Sequence, residues 1–190
     1  MRLNNDYFIL RHGEAVSNRK KIVSSWPEKI HNHLTKEGRE QVKASALKLK
    51  NEKIDIIFSS DLLRTKQSAE IVAKTIKVRI IFDKRLREIK MGIFNSKQEQ
   101  SWNDFFRSQF KRFVKRPLNG ENYRDVKKRT IEFIKEINKK HKNKKILIVS
   151  HGCVLFSLQA AIKNLTEKEE MRHRQKLILK TGELRRISNQ

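Results

Sequence analysis

The sequence has little cysteine and no long apolar run. Its one cysteine, Cys153, excludes an internal disulfide and is typical of a protein from a reducing compartment. No apolar stretch approaches the roughly 20 residues that cross a bilayer, and the N-terminus lacks the basic, apolar and small-residue order of a signal peptide. We therefore expect a cytoplasmic protein with no membrane partner.

The chain also lacks internal repeats and low-complexity linkers, and proline occurs only twice. Its 190 residues suit one domain, 1–190, which can bury roughly two-thirds of the surface that the unfolded chain exposes. A helical, cap-like insertion is expected around 95–116, where aromatic residues recur: Trp102, Phe105, Phe106, Phe110 and Phe113. This spacing favours core or lid packing over a nucleic-acid stacking platform, which needs exposed rings.

Acidic residues are scarce beside basic ones. The chain has 45 Lys and Arg against 21 Asp and Glu, a formal net charge of +24. Such a charge attracts anionic substrates and polyanions. A nucleic-acid partner is possible but not favoured, because the lysines are scattered through nearly every segment and a compositional habit of the source proteome explains them as well. The oligomeric state stays open.

Short apolar runs alternate with helical periods along the chain, which predicts an α/β fold. The runs are typical of strands buried on both faces and lie at 7–10, 54–58, 80–82, 146–149 and 177–179. The helical periods lie at 42–49, 69–76 and 126–137. We expect a three-layer αβα sandwich with a mostly parallel central sheet. Thr181-Gly182 predicts a terminal hairpin that joins 177–180 to 183–187.

Two histidine motifs follow predicted strands at opposite ends of the chain. Arg11-His12-Gly13-Glu14 follows the first run, and Ser150-His151-Gly152 follows the run at 146–149. In open α/β sheets, ligands bind beyond the carboxyl ends of the strands, so both histidines are expected at one pocket. Because guanidinium binds phosphate bidentately and glycine admits backbone N–H groups, phosphate is the leading ligand.

Two further segments supply charged groups for this pocket. After the run at 54–58, Asp61 is expected to cap a helix whose first turn carries Arg64. Glu88 follows the run at 80–82 and supplies a carboxylate that can exchange protons. The sequence therefore predicts that two arginines, two histidines and one glutamate converge on an anion.

The order and spacing of these motifs resemble the histidine phosphatase superfamily, in the branch that includes cofactor-dependent phosphoglycerate mutases and many small phosphatases. The resemblance covers almost the whole chain, and its motifs lie at 11–14 with Asn18, 34–39, 59–65 with 67–69, 86–88 with 91–92, 120–121 and 149–152. Departures occur at Ala15, where the family often has a hydroxyl residue, at 94–96, and at Cys153, where a glycine is common.

The resemblance implies a role for each matching residue. His12 is the expected nucleophile, Glu88 the proton donor and acceptor, and Arg11, Arg64 and His151 hold the phosphoryl oxygens. Asn18, the Gly13 amide and Gly152 are expected to add substrate contacts. The implied activity is phosphomonoester hydrolysis of a small anionic substrate through a phosphohistidine, without a metal or cofactor.

Other functions stay open at this stage. A phosphoglycerate mutase-type phosphotransferase is the main alternative, although 190 residues and a modest insertion favour a phosphatase. A thiol hydrolase at Cys153 is less favoured, because two arginines suit phosphate better than a neutral acyl group. A Ser150 nucleophile is also less favoured, because the pattern of a nucleophile elbow is lacking. A basic protein that binds phosphate or nucleic acid without turnover remains less favoured. His31-Asn32-His33 lacks further ligands to complete a metal shell.

Overall fold

The computed structural model describes residues 3–187, and these form a five-stranded sheet. The strands are β1 (Asp6–Arg11), β2 (Ile56–Ser59), β3 (Ile80–Phe82), β4 (Lys145–Ser150) and β5 (Leu184–Ile187). Their order across the sheet is β3-β2-β4-β1-β5. The first four pair in parallel, and only β5 runs antiparallel, along β1. Four of the predicted apolar runs therefore correspond to strands, and the mostly parallel sheet is confirmed.

Within residues 3–187 the chain forms nine α-helices. They are α1 (Val16–Arg19), α2 (Lys36–Lys48), α3 (Leu63–Ile76), α4 (Glu99–Phe106), α5 (Lys111–Val114), α6 (Tyr123–Lys140), α7 (Gly152–Ile162), α8 (Glu167–Arg172) and α9 (Arg174–Leu177). Two short 3-10 helices lie at Lys84–Leu86 and Gly92–Phe94. The three predicted helical periods lie in α2, α3 and α6, and the first period ends one residue past α2. None of these helices is long and apolar enough to cross a membrane.

Helices cover both faces of the sheet. Tyr7 and Ile9 of β1 share a buried cluster with Phe133 of α6 and Leu155 of α7. The intervening residues of β1, Phe8 and Leu10, pack on the opposite face of the sheet. There they share a second buried cluster with residues of α2 and α3: Val42, Ala46, Ala69 and Val72. Because successive strand residues point to opposite faces, a strand covered twice must be apolar throughout. The three-layer αβα arrangement follows.

Side-chain caps fix where two of these helices begin. Thr35 Oγ1 accepts from the Gly38 amide at 3.0 Å at the start of α2. Asn122 and Asp125 form a reciprocal capping box at the start of α6, each side chain accepting from the other's amide at 3.0 Å. Such caps satisfy amides that have no partner inside the helix. The predicted Asp61 cap is wrong, because that carboxylate pairs with Arg87 and the N-cap position of α3 is Leu62, which makes no side-chain cap.

The predicted terminal hairpin is half wrong. Its second arm is β5, but the first arm is not a strand, since Leu177 ends α9 and the following residues are irregular. The backbone carbonyls of this segment accept hydrogen bonds from side chains and not from a neighbouring strand. Gln159 donates to Leu177 O at 2.7 Å, and Arg11 donates to Leu179 O at 2.8 Å. A short apolar run shows burial without showing which backbone partners it meets.

The segment around 95–116 contains α4 and α5. Trp102, Phe106 and Phe113 are buried and belong to the larger hydrophobic cluster, whereas Phe110 is exposed. These two helices pack beside the carboxyl ends of the strands and contribute to the wall of the cavity described next.

Candidate active site

The predicted site residues follow the carboxyl ends of three adjacent strands. Arg11 pairs with Ser150 in the β1–β4 register, and Ser59 pairs with Val149 in the β2–β4 register. His12, Ser60 and His151 come directly after these strands and therefore emerge at one edge. A cavity of about 290 Å³ opens there, and its lining includes Arg11, His12, Asn18, Arg64, Glu88 and Gly152.

His12 is buried with one tautomer fixed. Its Nδ1 lies 2.8 Å from the Gly13 carbonyl oxygen, which can only accept, so Nδ1 carries the proton. Its Nε2 holds the lone pair of the ring, which accepts a hydrogen bond from Arg64 Nε at 3.2 Å. Burial, then the charges of Arg64 and Arg11, hold the pKa of His12 well below its usual value. The imidazole is therefore neutral at neutral pH, the form in which an imidazole can act as a nucleophile.

Arg64 is a buried cation in the first turn of α3. Its Nη2 donates to Ser24 O at 3.1 Å, and its Nη1 lies 3.6 Å from the Glu28 carboxylate. That Nη1 has no hydrogen-bond partner among the described residues. Burial lowers the pKa of Arg64 to about 10, against the opposing effects of Glu88 and Glu28. The guanidinium stays charged at neutral pH and keeps an N–H free for an anion.

Arg11 is held from behind by the segment before β5. Its Nη1 donates to Leu179 O at 2.8 Å, and its buried Nε lacks a partner within residues 3–187. Gly152 lies beside it, since a Cβ there would come 3.4 Å from Arg11 Cζ. The guanidinium therefore lies against the first residue of α7. The second arginine thus also carries an unused buried N–H.

His151 lies edge-on to His12, with ring centroids 5.2 Å apart. It is fully buried and stands behind the residues that line the cavity. Its Nε2 lies 2.9 Å from Ser60 Oγ, and its Nδ1 is unpartnered among the described residues. Burial, followed by the charge of Arg64, lowers the pKa of His151 well below its usual value. The second histidine is neutral as well.

Glu88 faces the cavity although three cations are its neighbours in sequence. Only 8% of its surface is exposed, and its Oε1 accepts from the Ile89 amide at 2.9 Å. The three cations bind elsewhere: Arg85 pairs with Asp83 and Glu136, Arg87 pairs with Asp61, and Lys90 stacks on Trp26. Glu88 is therefore left free to meet a substrate.

Two predicted substrate contacts have different surroundings. Asn18 lines the cavity, and its Oδ1 accepts from the Ala15 amide at 2.9 Å. Gly13 lies away from the cavity wall, and its amide donates to Ser68 Oγ at 3.2 Å. A Cβ on Gly13 would approach Gly38 O to 2.1 Å. The structure therefore does not bring the Gly13 amide to the site, and its glycine serves close packing against α2.

The alternative nucleophiles are poorly placed for attack. Burial and the charge of Glu88 raise the pKa of the Cys153 thiol to about 12, so the thiolate is scarce at neutral pH. Ser150 Oγ is buried and donates to Leu86 O at 2.7 Å. Residues 3–187 contain no group of three or more His, Cys, Asp and Glu side chains arranged to hold a metal ion.

Several residues at the site were missed by the sequence analysis. Ser60, which contacts His151, directly follows a strand and was identifiable from that position. Ser24 and Glu28, which hold Arg64, lie in an irregular loop that carries no signal. Arg112 and Arg174 line the cavity but look in sequence like any other of the 45 basic residues.

Comparisons with known proteins identify the family. A model of the histidine phosphatase superfamily (branch 1) matches residues 7–185. Phosphoserine phosphatase 1 of Hydrogenobacter thermophilus is 27% identical over 159 residues, 81% of this chain and 74% of the relative. The protein named probable phosphoglycerate mutase GpmB of Escherichia coli O1:K1 / APEC is 29% identical over 172 residues, 88% of this chain and 79% of the relative.

A solved structure has a fold similar to that of this chain. Bacillus stearothermophilus YhfR superposes with a TM-score of 0.78 at 28% identity, covering 87% of this chain and 83% of that one. The family match spans both histidine motifs and every strand except the first residue of β1 and the last two of β5. The chain belongs to branch 1 of the histidine phosphatase superfamily, whose members are phosphatases or mutases.

Proposed function

We propose that this protein hydrolyses small phosphomonoesters through a phosphohistidine at His12. One observation carries the proposal: a neutral His12 with its lone pair on Nε2 lines one cavity with two guanidinium groups. Each of these keeps a buried N–H without a partner among the described residues, Arg11 Nε and Arg64 Nη1. Buried donors without partners are costly, so a ligand that accepts from both is strongly favoured. A phosphoryl group has oxygens enough for both.

The first half-reaction transfers the phosphoryl group to the enzyme. His12 Nε2 donates its lone pair to phosphorus while the ester P–O bond breaks, and a protonated Glu88 gives its proton to the leaving oxygen. Arg11 and Arg64 hold the non-bridging oxygens, where charge is spread in the transition state. The alcohol leaves, and His12 carries the phosphoryl group on Nε2.

The second half-reaction clears the phosphohistidine. Glu88, now a carboxylate, takes a proton from water while the water oxygen attacks phosphorus and the P–N bond breaks. The bonding pair returns to Nε2, inorganic phosphate leaves, and Glu88 is again protonated. Each group ends in its starting form, because the proton that Glu88 gives to the leaving alcohol is restored by the attacking water.

His151 is suited to donate from its Nδ1. Ser60 Oγ accepts from the Leu62 amide at 3.3 Å, so its own hydrogen is available for His151 Nε2. A histidine that accepts at Nε2 and is neutral carries its proton on Nδ1. That buried N–H is another donor without a partner among the described residues, and in the proposed mechanism it gives a further hydrogen bond to the phosphoryl oxygens.

The substrate is expected to be small. A cavity of about 290 Å³ lies at the lower end of ligand pockets, which span roughly 300–1,000 Å³. This size favours a compact phosphate ester over a nucleic acid. We take α4 and α5 as a cap of the same domain, and a reducing cytoplasm suits the free Cys153.

The test is hydrolysis of 4-nitrophenyl phosphate by the wild type and His12→Asn, with and without a chelator. Rapid quench with a labelled substrate should trap an acid-labile phosphoenzyme in the wild type alone. His33→Asn, a change outside the cavity lining, is the matched control and should keep both turnover and label. Undiminished turnover by His12→Asn would refute the phosphohistidine. Label without phosphate release would favour a mutase.

A further inference from the structure

The amino ends of the parallel strands form an edge of the sheet that the proposed phosphoryl transfer does not use. β1, β2 and β4 begin there, at Asp6, Ile56 and Lys145. An open cavity of about 630 Å³ lies at this edge and is lined by 3–6 and 142–145. β4 has six residues, so roughly 20 Å separates this edge from the carboxyl ends of the strands. The cavity shares no lining residue with the candidate active site.

Lysine is scattered along the sequence, but the fold gathers several lysines at this edge. The Asp55 amide donates to Lys145 O at 2.8 Å, and the Asp55 carboxylate accepts from the Lys145 amide at 2.8 Å. These bonds join the loop before β2 to the loop before β4. Together with the last turn of α6, the two loops form a lysine cluster: Lys50, Lys53, Lys139, Lys140, Lys142, Lys144 and Lys145.

The acidic residues in and beside these loops already have basic partners. The pairs are Asp55 with Lys144 at 3.1 Å, Glu52 with Lys145 at 3.6 Å, and Asp6 with Arg186 at 2.9 Å. The other lysines of the cluster are exposed and form no ion pair within residues 3–187: Lys50, Lys53, Lys139, Lys140 and Lys142. Because like charges held together repel, an external anion that bridges them is favoured.

The cluster is extended and not concave around one point. Its unpaired lysines come from two loops and a helix end, so one small anion cannot contact all of them. A nucleic-acid duplex carries a charge every ~1.7 Å along its axis and can meet several lysines at once. Asn143, which is exposed between two lysines in the cavity lining, adds an amide of the kind that contacts backbone phosphates.

The same surroundings argue against a membrane and against stacked bases. Surfaces that bind a bilayer combine cations with apolar side chains that enter it. Among residues 3–187 the large exposed apolar side chains lie in other segments: Leu47, Phe82, Ile93, Phe110, Val114 and Leu118. The segments 50–55 and 139–145 also contain no Phe, Tyr or Trp on which a base stacks. Contacts from this edge therefore reach phosphates and not bases.

We propose that the lysine cluster at the amino ends of the strands is a docking surface for the phosphate backbone of a nucleic-acid duplex. The unpaired lysines contact the phosphates, and binding does not depend on base sequence. The duplex is a bound partner and not a substrate. The proposal does not depend on the proposed phosphatase function, because the two edges share no residue.

Fluorescence anisotropy of a short labelled DNA duplex, titrated with the full chain at several salt concentrations, tests the surface. A triple variant with Lys139→Gln, Lys140→Gln and Lys142→Gln should bind about tenfold more weakly or worse at low salt, and the slope of log K against log salt should become shallower by about 2–3. Cations in the last turn of α6 also stabilise that helix. Arginine at the same three positions keeps both charge and helix and should retain wild-type binding.

A second triple variant separates the lysine cluster from the net charge of the chain. It carries Lys20→Gln, Lys29→Gln and Lys36→Gln, at exposed positions outside the lining of either cavity described above. This variant loses the same charge and should keep near wild-type affinity for the duplex and a near wild-type salt slope.

Three outcomes would overturn the proposal. The wild type would not bind the duplex at low salt, or the two glutamine triples would lose affinity equally, which would assign binding to overall charge. In the third, the wild type would bind phosphatidylglycerol vesicles and not the duplex, and only the triple in the lysine cluster would lose the vesicles. That result would assign the edge to a membrane.

Discussion

The Nε–H of Arg64 donates to Nε2 of His12 across 3.2 Å. A fixed cation on that nitrogen disfavours its protonation, so the ring stays neutral with its proton on Nδ1. In the proposed mechanism this hydrogen bond breaks when Nε2 attacks phosphorus, which leaves the guanidinium beside the new P–N bond. Under that proposal, the same side chain holds the nucleophile before the reaction and the phosphoryl group after it.

Arg64→Lys should lower kcat/KM for 4-nitrophenyl phosphate by about 10²–10³, the cost of losing a donor aimed at developing charge. Lysine keeps the charge but cannot donate to His12 and Ser24 with one planar group. Steady-state kinetics are the measurement. Arg79→Lys, at an exposed position, is the control. Near wild-type kinetics for Arg64→Lys would show that a point charge suffices.

Ser60→Ala should reduce kcat/KM about tenfold while preserving the fold. Ser60 Oγ lies 2.9 Å from His151 Nε2. In the proposed mechanism the hydroxyl donates to Nε2 and keeps the imidazole proton on Nδ1, so its removal leaves the tautomer unfixed. Its loss costs about one net hydrogen bond. Phosphate-release kinetics would reveal the change. An unaffected rate would show that His151 needs no orienting partner.

Acid should destabilise the protein through His12 and His151. Both have pKa values well below 6.5 in the folded state, so below about pH 6.5 the unfolded chain binds protons that the folded chain does not. Their contribution to the free energy of unfolding is present above that pH and is lost as pH falls. The slope approaches about 1.4 kcal/mol per pH unit for each histidine.

Urea unfolding of the wild type and His12→Asn between pH 7.5 and 5.5 checks this dependence. The variant should lose less stability over the interval, by about 1 kcal/mol. His31→Asn, which alters an exposed histidine, should retain the wild-type slope. Parallel curves for all three proteins would contradict the assignment.

Gly38→Ala should destabilise the protein although alanine favours helices. Its Cβ would come 2.0 Å from the carbonyl oxygen of Glu14, a backbone atom that cannot move aside alone. Overpacking of this kind costs about 1–3 kcal/mol, more than the ~1 kcal/mol that alanine gains over glycine in a helix. Thermal unfolding beside Arg39→Ala, an exposed position of the same helix, isolates the clash. A raised Tm for Gly38→Ala would rule it out.

The sequence was most informative where burial determines the pattern of apolar residues. A strand covered on both faces must be apolar, so β1 and β4 were predictable. Because the ends of these strands were located, the site residues that follow them were located as well. Leu177 was misassigned because an apolar run indicates burial but not its backbone partner. Asp61 was misassigned because a long-range arginine outcompeted a local cap. Arg112 and Arg174 gave no signal, since their position depends on how short helices pack.

The order of the strands in the sheet has a consequence for synthesis. β1 leaves the ribosome early, yet both of its neighbours, β4 and β5, come late in the chain. Until Lys145–Ser150 has been made, an apolar strand with two open edges must stay unpaired, and such a segment is prone to aggregate. Translation speed and chaperone access should therefore influence the yield of folded protein more strongly than the stability of the finished sheet suggests.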